Sequence, residues 1–271
     1  MGRFHKFNCT LALILCGVPC IAPGVRAQVT GTLTAPSYSA ASIVSAADQT
    51  SGTLAPNAIA TLYGTNLAFT THALTVGDLN QGDLPLSLAE VTVYVNNIQA
   101  NLFYVSPTQI NFLIPYEITT SSAVVFVNRQ GLDGPFVTIQ LAPAAPAFFQ
   151  WNGNLAVAEH ANGTLISPAS PAQGGEVIVL FAAGLGRTTP DLSSGFIVQL
   201  PVTILLASQL QILLNGVPCP AGSIYYAGVT PGFAGLYQIN LQLPDVLPLN
   251  PEIQMAIGTQ ISPAAIQLPA S

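Results

Sequence analysis

One seven-residue pattern, Q-I-N-x-x-[I/L]-P, occurs twice in this chain, as QINFLIP at 109–115 and QINLQLP at 238–244. The repetition constrains the fold more than any composition figure, because the surrounding landmarks repeat in the same order. YGTNLA (63–68) is answered by FAAGLG (181–186), and VTVYV before Asn96-Asn97 is answered by QILL before Asn215-Gly216. The second tag comes late because extra residues stand before it, chiefly GVTPGFAGL (228–236), where Pro231-Gly232 suits the centre of a type II turn. Ordered landmarks with slippage only in loops predict two copies of one fold. Two copies are too few for a solenoid, so each must carry its own core.

The local pattern says what that fold is. Runs rich in Val, Ile, Thr, Phe and Tyr recur every 8–12 residues or so with Gly, Pro, Asn or Ser between them, the spacing of an all-β sandwich. In the first tag Ile110, Phe112 and Ile114 alternate with Gln109, Asn111 and Leu113; in the second Ile239, Leu241 and Leu243 alternate with polar residues. Both read as half-buried strands stopped by a proline. Asn96-Asn97, Asn162-Gly163 and Asn215-Gly216 suit the left-handed central positions of tight hairpins. Pro143 and Pro146 bracket two alanines and place the boundary near Pro146. The expected organisation is a signal segment at 1–27, an extension at 28–50 partly packed on the first domain, a first sandwich at 51–146 and a second at 147–271. The second opens with an extra hairpin, NLAVAEHANGTLIS, expected to pack on the first copy.

The first 27 residues read as an export signal. Arg3 and Lys6 precede the apolar run LALILCGVPCIA, and Val25-Arg26-Ala27 offers small residues at the cleavage positions. Pro19 and Pro23 break that run too early for a comfortable membrane span. Cleavage after Ala27 leaves Arg129 and Arg187 against all 11 acidic residues, a net charge of −9, and no lysine. A chain so poor in cations offers no positive surface to a phosphate backbone, which rules out nucleic acid as the partner. Charged residues make up 6% of the whole chain, against about 25% in ordinary soluble proteins. Cys219 is the one cysteine beyond the signal, so no internal disulfide forms there, and it is expected as a small buried hydrophobe. The expected location is the cell surface, the periplasm or the medium of a bacterium.

Several stretches together carry a family resemblance: APNAIATLYGTNLA (55–68), FYVSPTQINFLIPYE (103–117), LAPAAPAFF (141–149), HANGTLISPASPAQGGEVIVLFAAGLG (160–186) and YYAGVTPGFAGLYQINLQLP (225–244). Over most of residues 38–268 the chain resembles the Solibacter-type C-terminal domain family of bacterial secreted proteins, itself similar to the IPT/TIG group of immunoglobulin-like domains. The resemblance implies two tandem immunoglobulin-like β-sandwiches and an export route. It brings no catalytic or ligand-binding residues.

Chemistry must therefore be sought residue by residue. His72 and His160 are the histidines beyond the signal, and neither sits in a hydrolase or metalloprotease motif. Asp78, Asn80 and Asp83 bring oxygen ligands into one loop, GDLNQGDLP, as a calcium site would, yet Gly82 and Ala89 stand where an EF-hand places ligands. Trp151, beside Phe148 and Phe149, and the pair Tyr225 and Tyr226 are the candidates for stacking on sugar rings. The competing expectation is that Phe148 and Trp151 plug the seam between domains. Arg129 and Arg187 are expected as surface charges near Asp133 and Asp191. The sequence thus predicts no enzyme and no cofactor, but a module for adhesion, spacing or binding whose partner is a polysaccharide or another extracellular protein. A carbohydrate-binding module is the alternative, and a hydrolase using His72 or His160 a more distant one.

Overall fold

The computed structural model describes residues 34–271, so the expected signal segment lies outside the described residues. The first copy pairs two sheets. One has the strand order Ile43–Ser45, Ile59–Tyr63, Gln109–Leu113, Leu102–Val105, His72–Ala73. The other runs Thr53–Leu54, Val137–Leu141, Ser122–Arg129, Val91–Val95, Ile98–Ala100. The second copy repeats the scheme. A sheet centred on Val177–Ala183, Tyr237–Gln242 and Ile224–Val229 faces one centred on Leu210–Leu214 and Ile253–Ile257. The chain is two tandem immunoglobulin-like β-sandwiches, and among the described residues no helix is long and apolar enough to cross a membrane.

Period-two alternation explains the cores. Val91, Val93 and Val95 point inward with Ile110, Phe112 and Ile114, while Thr92 and Tyr94 point out. Ile239 and Leu241 do the same in the second copy, against Ile212, Met255 and Phe148. Two of the three expected hairpin turns have the chemistry their residues suggest, whereas at Asn162-Gly163 only Gly163 is left-handed, with φ of 81°. Asn96 and Asn97 hold φ of 47° and 63°, Asn215 and Gly216 hold 49° and 77°, and Gly232 of the Pro-Gly turn holds 89°. Residues 37–45 of the expected extension belong to the first sandwich more fully than an extension would. Ser37 exchanges backbone hydrogen bonds with Thr65, and Ile43 is buried in the core on an edge strand.

The first tag departs from the half-buried expectation: Asn111 and Leu113, on its outward face, are buried as well. The cause is the second copy. Ile59 and Leu113 on the outward face of the first sandwich share an apolar cluster with Phe149, Phe181, Ala234 and Leu236 of the second. The loop GVTPGFAGL is seated there. Gly235 has φ of 71°, and a Cβ on it would overlap the Leu113 side chain and stand 3.0 Å from Ile59 Cγ1, so only glycine fits. Polar contacts flank this seam. Asn57 Nδ2 donates to the Tyr237 hydroxyl at 3.0 Å, the Tyr116 hydroxyl donates to Asp191 at 2.8 Å, and Ser194 Oγ donates to Glu117 at 2.6 Å. Domains joined by small polar contacts move freely, whereas an apolar, ring-filled interface holds them together. This seam is of the second kind.

Two further expectations are corrected. Arg129 is no surface charge near Asp133. It is 3% exposed, its guanidinium donates to the carbonyls of Asn66 at 2.6 Å and Thr34 at 2.5 Å, and it lies 4.0 Å over the Phe69 ring. Arg187 does pair with Asp191, at 2.5 Å. Phe148 sits in the second core and not in the seam, which Phe149 fills instead. Trp151 lies in a short strand, Gln150–Trp151, hairpinned to Leu155–Ala156, and packs partly buried against the seam cluster.

Candidate functional site

The outward face of the first tag builds one wall of a cleft. Cross-strand register sets Tyr63 opposite Gln109 and Thr61 opposite Asn111, so all four side chains stand on one face while Leu62 and Ile110 point into the core. Gln109 Nε2 donates to Asn111 Oδ1 at 2.9 Å, and the second tag repeats this bond from Gln238 to Asn240 at 3.0 Å. The repeated Gln and Asn are therefore a structural pair along the strand. The floor comes from the turn after the edge strand Ile43–Ser45, where Asp48 Oδ1 accepts from Thr50 N at 3.1 Å and Thr50 Oγ1 at 2.9 Å. That turn throws Gln49 toward Tyr63, whose hydroxyl donates to Gln49 Oε1 at 2.8 Å. The far wall is the second copy's hairpin, with Gln150, Trp151, Asn152 and Gly153; Asn152 and Gly153 hold φ of 50° and 97° at its tip.

The cleft so enclosed has a volume of about 460 Å³, within the usual range for small-molecule sites. Its chemistry is specific. Two aromatic rings, Tyr63 and Trp151, share it with five primary amides, Gln49, Gln109, Asn111, Gln150 and Asn152. Each amide offers both donors and acceptors, which is what a hydroxyl group, itself donor and acceptor, requires of a partner. Tyr63 is 41% exposed, enough to present part of its ring to a ligand. Asp48 is the charged residue of the lining.

The other candidate residues go elsewhere. Tyr225 and Tyr226 line a wider groove of about 620 Å³ in the second sandwich, together with Cys219 and Gln211. The Tyr226 hydroxyl is spent on its own sheet, donating to Val229 O at 2.8 Å and accepting from Val202 N at 3.1 Å, while the Tyr225 hydroxyl donates to Gln242. Cys219 is free and half-buried, and burial pushes its thiol pKa up, which keeps it protonated and unreactive.

Asp78 does not join Asp83. Its carboxylate accepts from Thr75 Oγ1 at 2.6 Å, Thr75 N at 2.7 Å and His72 Nε2 at 3.0 Å, while Asn80 and Asp83 close a backbone bridge. Among the described residues no three His, Cys, Asp or Glu side chains converge on a point. The Thr75 hydroxyl first, then His72 and the Thr75 amide, hold the Asp78 carboxyl down at about 2. A pKa lower in the folded than in the unfolded chain gives stability that is present above pH 4 or so and lost as pH falls toward 2. Melting curves of wild type and Asp78→Asn are therefore expected to differ at pH 7 and to converge by pH 2. An Asp78 carboxyl ¹³C midpoint at the ordinary value near 4 would overturn the assignment.

His160 meets a carboxylate and a serine: Nδ1 lies 3.0 Å from Glu176 Oε2 and Nε2 lies 3.2 Å from Ser170 Oγ. The order of contacts is that of a hydrolase triad. Nε2 is equally close, 3.2 Å, to the Ser170 carbonyl oxygen, which also accepts from Ser167 N at 3.0 Å. Through these contacts His160 ties the 167–170 turn to Glu176.

One surface feature escaped the sequence reading. Tyr94, Phe126 and Phe136 stack across the outer sheet of the first sandwich, with centroids 4.7 and 4.5 Å apart. Alternation in VTVYV and SAVVFVNR puts Tyr94 and Phe126 outward, so the stack was readable. The rings stack on one another as a cross-strand ladder does, and Phe136 at its end is 62% exposed. Tyr63, Gln49, Gln109 and Asn111 were also missed as site residues. Tyr63 carried a signal, an aromatic at an outward strand position; the amides carried none, because what faces them comes from the other copy.

No family model and no curated protein matches the chain. Among solved structures the chain is similar to the surface glycan-binding protein PbSGBP-B from Prevotella bryantii, at 13% identity over 82% of this chain and 39% of that one, with a TM-score of 0.28. It is similar to SGBP-B of the Bacteroides ovatus mixed-linkage glucan utilization locus, solved with a mixed-linkage heptasaccharide, at 11% identity over 78% of this chain and 38% of that one, TM-score 0.32. It is also similar to the tandem Ig repeats of Dlar, at 9% identity over 88% of this chain and 96% of that one, TM-score 0.22. The chain spans about two fifths of the length of the first two.

Proposed function

We propose that the protein is a secreted, non-enzymatic binding module of the Solibacter-type family that holds a polysaccharide in the cleft between its two sandwiches at the bacterial cell surface. One observation carries the reading: two aromatic side chains and five primary amides meet in a single cleft walled by both copies. Rings supply flat apolar partners for sugar C–H faces, and amides match sugar hydroxyls. Adhesion to a polymer and spacing from the cell follow from the same build, because the apolar seam keeps the cleft in one shape.

The test is a polysaccharide panel in affinity electrophoresis and calorimetry. Trp151→Ala is expected to weaken binding at least tenfold, about 1.4 kcal/mol, with circular dichroism unchanged; Tyr63→Ala is expected to do the same. Trp151 stands at the rim of the seam cluster and not in either core, so its loss leaves both sandwiches folded. Binding untouched by both substitutions would remove the cleft from the account, and saturable hydrolysis lost on His160→Ala would replace the module with an enzyme.

A further inference from the structure

We infer that the cleft selects an uncharged polysaccharide, and that Asp48 is the residue that turns acidic ones away; this rests on the reading of the cleft as a polysaccharide site. The lining holds one carboxylate, five primary amides, the Thr61 hydroxyl and no Lys, Arg or His. A uronate or sulfate entering it would meet Asp48 with no cation to offset the repulsion. The two arginines of the described chain are engaged elsewhere, Arg129 with backbone carbonyls and Arg187 with Asp191. An uncharged chain of hydroxyls meets amide donors and acceptors in the lining and no like charge.

Two fields repel an acid here, and salt separates them. The summed charge of the 11 acidic residues acts over long range, but at about 0.15 M salt charges more than about 8 Å apart are largely screened, whereas at about 0.01 M the screening length is about 30 Å. Asp48 is in the cleft wall itself, so its share persists at physiological salt. Its geometry makes the amide a fair substitute, because Oδ1 serves Thr50 N and Oγ1 as an acceptor and an asparagine oxygen accepts equally well.

The experiment uses protein exported from the full chain, with hydroxyethylcellulose and glucomannan as neutral polymers and polygalacturonate and alginate as acidic ones. Wild type is expected to bind a neutral polymer at least tenfold more tightly than either acidic one at about 0.01 M salt, and the preference is expected to shrink above about 0.5 M. Asp48→Asn is expected to raise the acidic-to-neutral affinity ratio at least fivefold at about 0.15 M, where distant charges are screened, with an unchanged melting curve as the check on folding. Acidic polymers bound as tightly as neutral ones by wild type at low salt would overturn the inference, whatever the variant does. An Asp48→Asn ratio equal to wild type would overturn the role of Asp48. If neutral polymers still bind and Trp151→Ala still loses them, either result leaves the polysaccharide reading standing. Binding of no polymer at all would remove both.

Discussion

Gly184→Ala is expected to lower the melting temperature by about 10 °C. Gly184 holds φ of 74°, and a Cβ there would overlap the carbonyl of Ala145, whose N–H donates to Gly184 O at 2.8 Å. A left-handed alanine costs about 1–2 kcal/mol, and forcing a methyl into packed backbone costs about 1–3 kcal/mol more. About 3 kcal/mol in a chain of this size corresponds to the expected shift, at about 2–4 °C per kcal/mol. Gly64, two residues before Asn66, the first copy's counterpart of Gly184, is crossed in the same way by Ser37, whose carbonyl a Cβ would approach to 2.5 Å, but its φ is not left-handed. Gly64→Ala is therefore expected to cost less, by the left-handed penalty. Calorimetric melts of both variants check the pair, and a Gly184→Ala shift under 2 °C would show that the 143–147 crossing yields without strain.

Arg129→Met is expected to cost about 3 kcal/mol. The substitution keeps the length of the side chain and removes two charge-assisted bonds to backbone carbonyls together with the stacking on Phe69. Those bonds tie Thr34 and Asn66 to the end of the Ser122–Arg129 strand, so hydrogen exchange at Ser37 and Thr65, whose amides bond each other's carbonyls, is expected to quicken as well. Arg187→Gln gives the contrast. Its partner Asp191 is 61% exposed, and such pairs contribute about 0–1 kcal/mol. Urea titrations of the two variants giving equal losses would mean that Arg129 is not the anchor its burial describes.

What the sequence made legible has a common physical origin. Strand alternation, hairpin turns and glycine positions are properties of a few consecutive residues. Ile110, Phe112 and Ile114, the left-handed Asn96 and Asn97, and the Pro231-Gly232 turn could therefore be placed from the text alone. Burial of a strand's second face is not such a property. Asn111 and Leu113 are buried because a different copy of the fold lies on them, and no period within QINFLIP records that. Arg129 was misplaced for the same reason: its partners, Asn66 and Thr34, are far away in the chain and are backbone carbonyls, which leave no trace in residue identity. Trp151 was picked out for its type and its neighbours, yet the ring, the amides and the carboxylate of the cleft came together only with the fold.

The way the copies meet decides how many clefts of the proposed kind two like domains can form. The same face of the same sheet is turned inward in both: register sets Phe181 opposite Gln238 in the second copy as it sets Tyr63 opposite Gln109 in the first. Tyr63 lines the cleft, whereas Phe181 is buried at the seam. The duplicated surface is thus a wall in one copy and a fastening in the other. On the proposed reading, a chain with two like domains has a stoichiometry of one at this cleft, and its grip on a polymer with many repeating units is expected to grow with the number of molecules displayed side by side, through effective concentration.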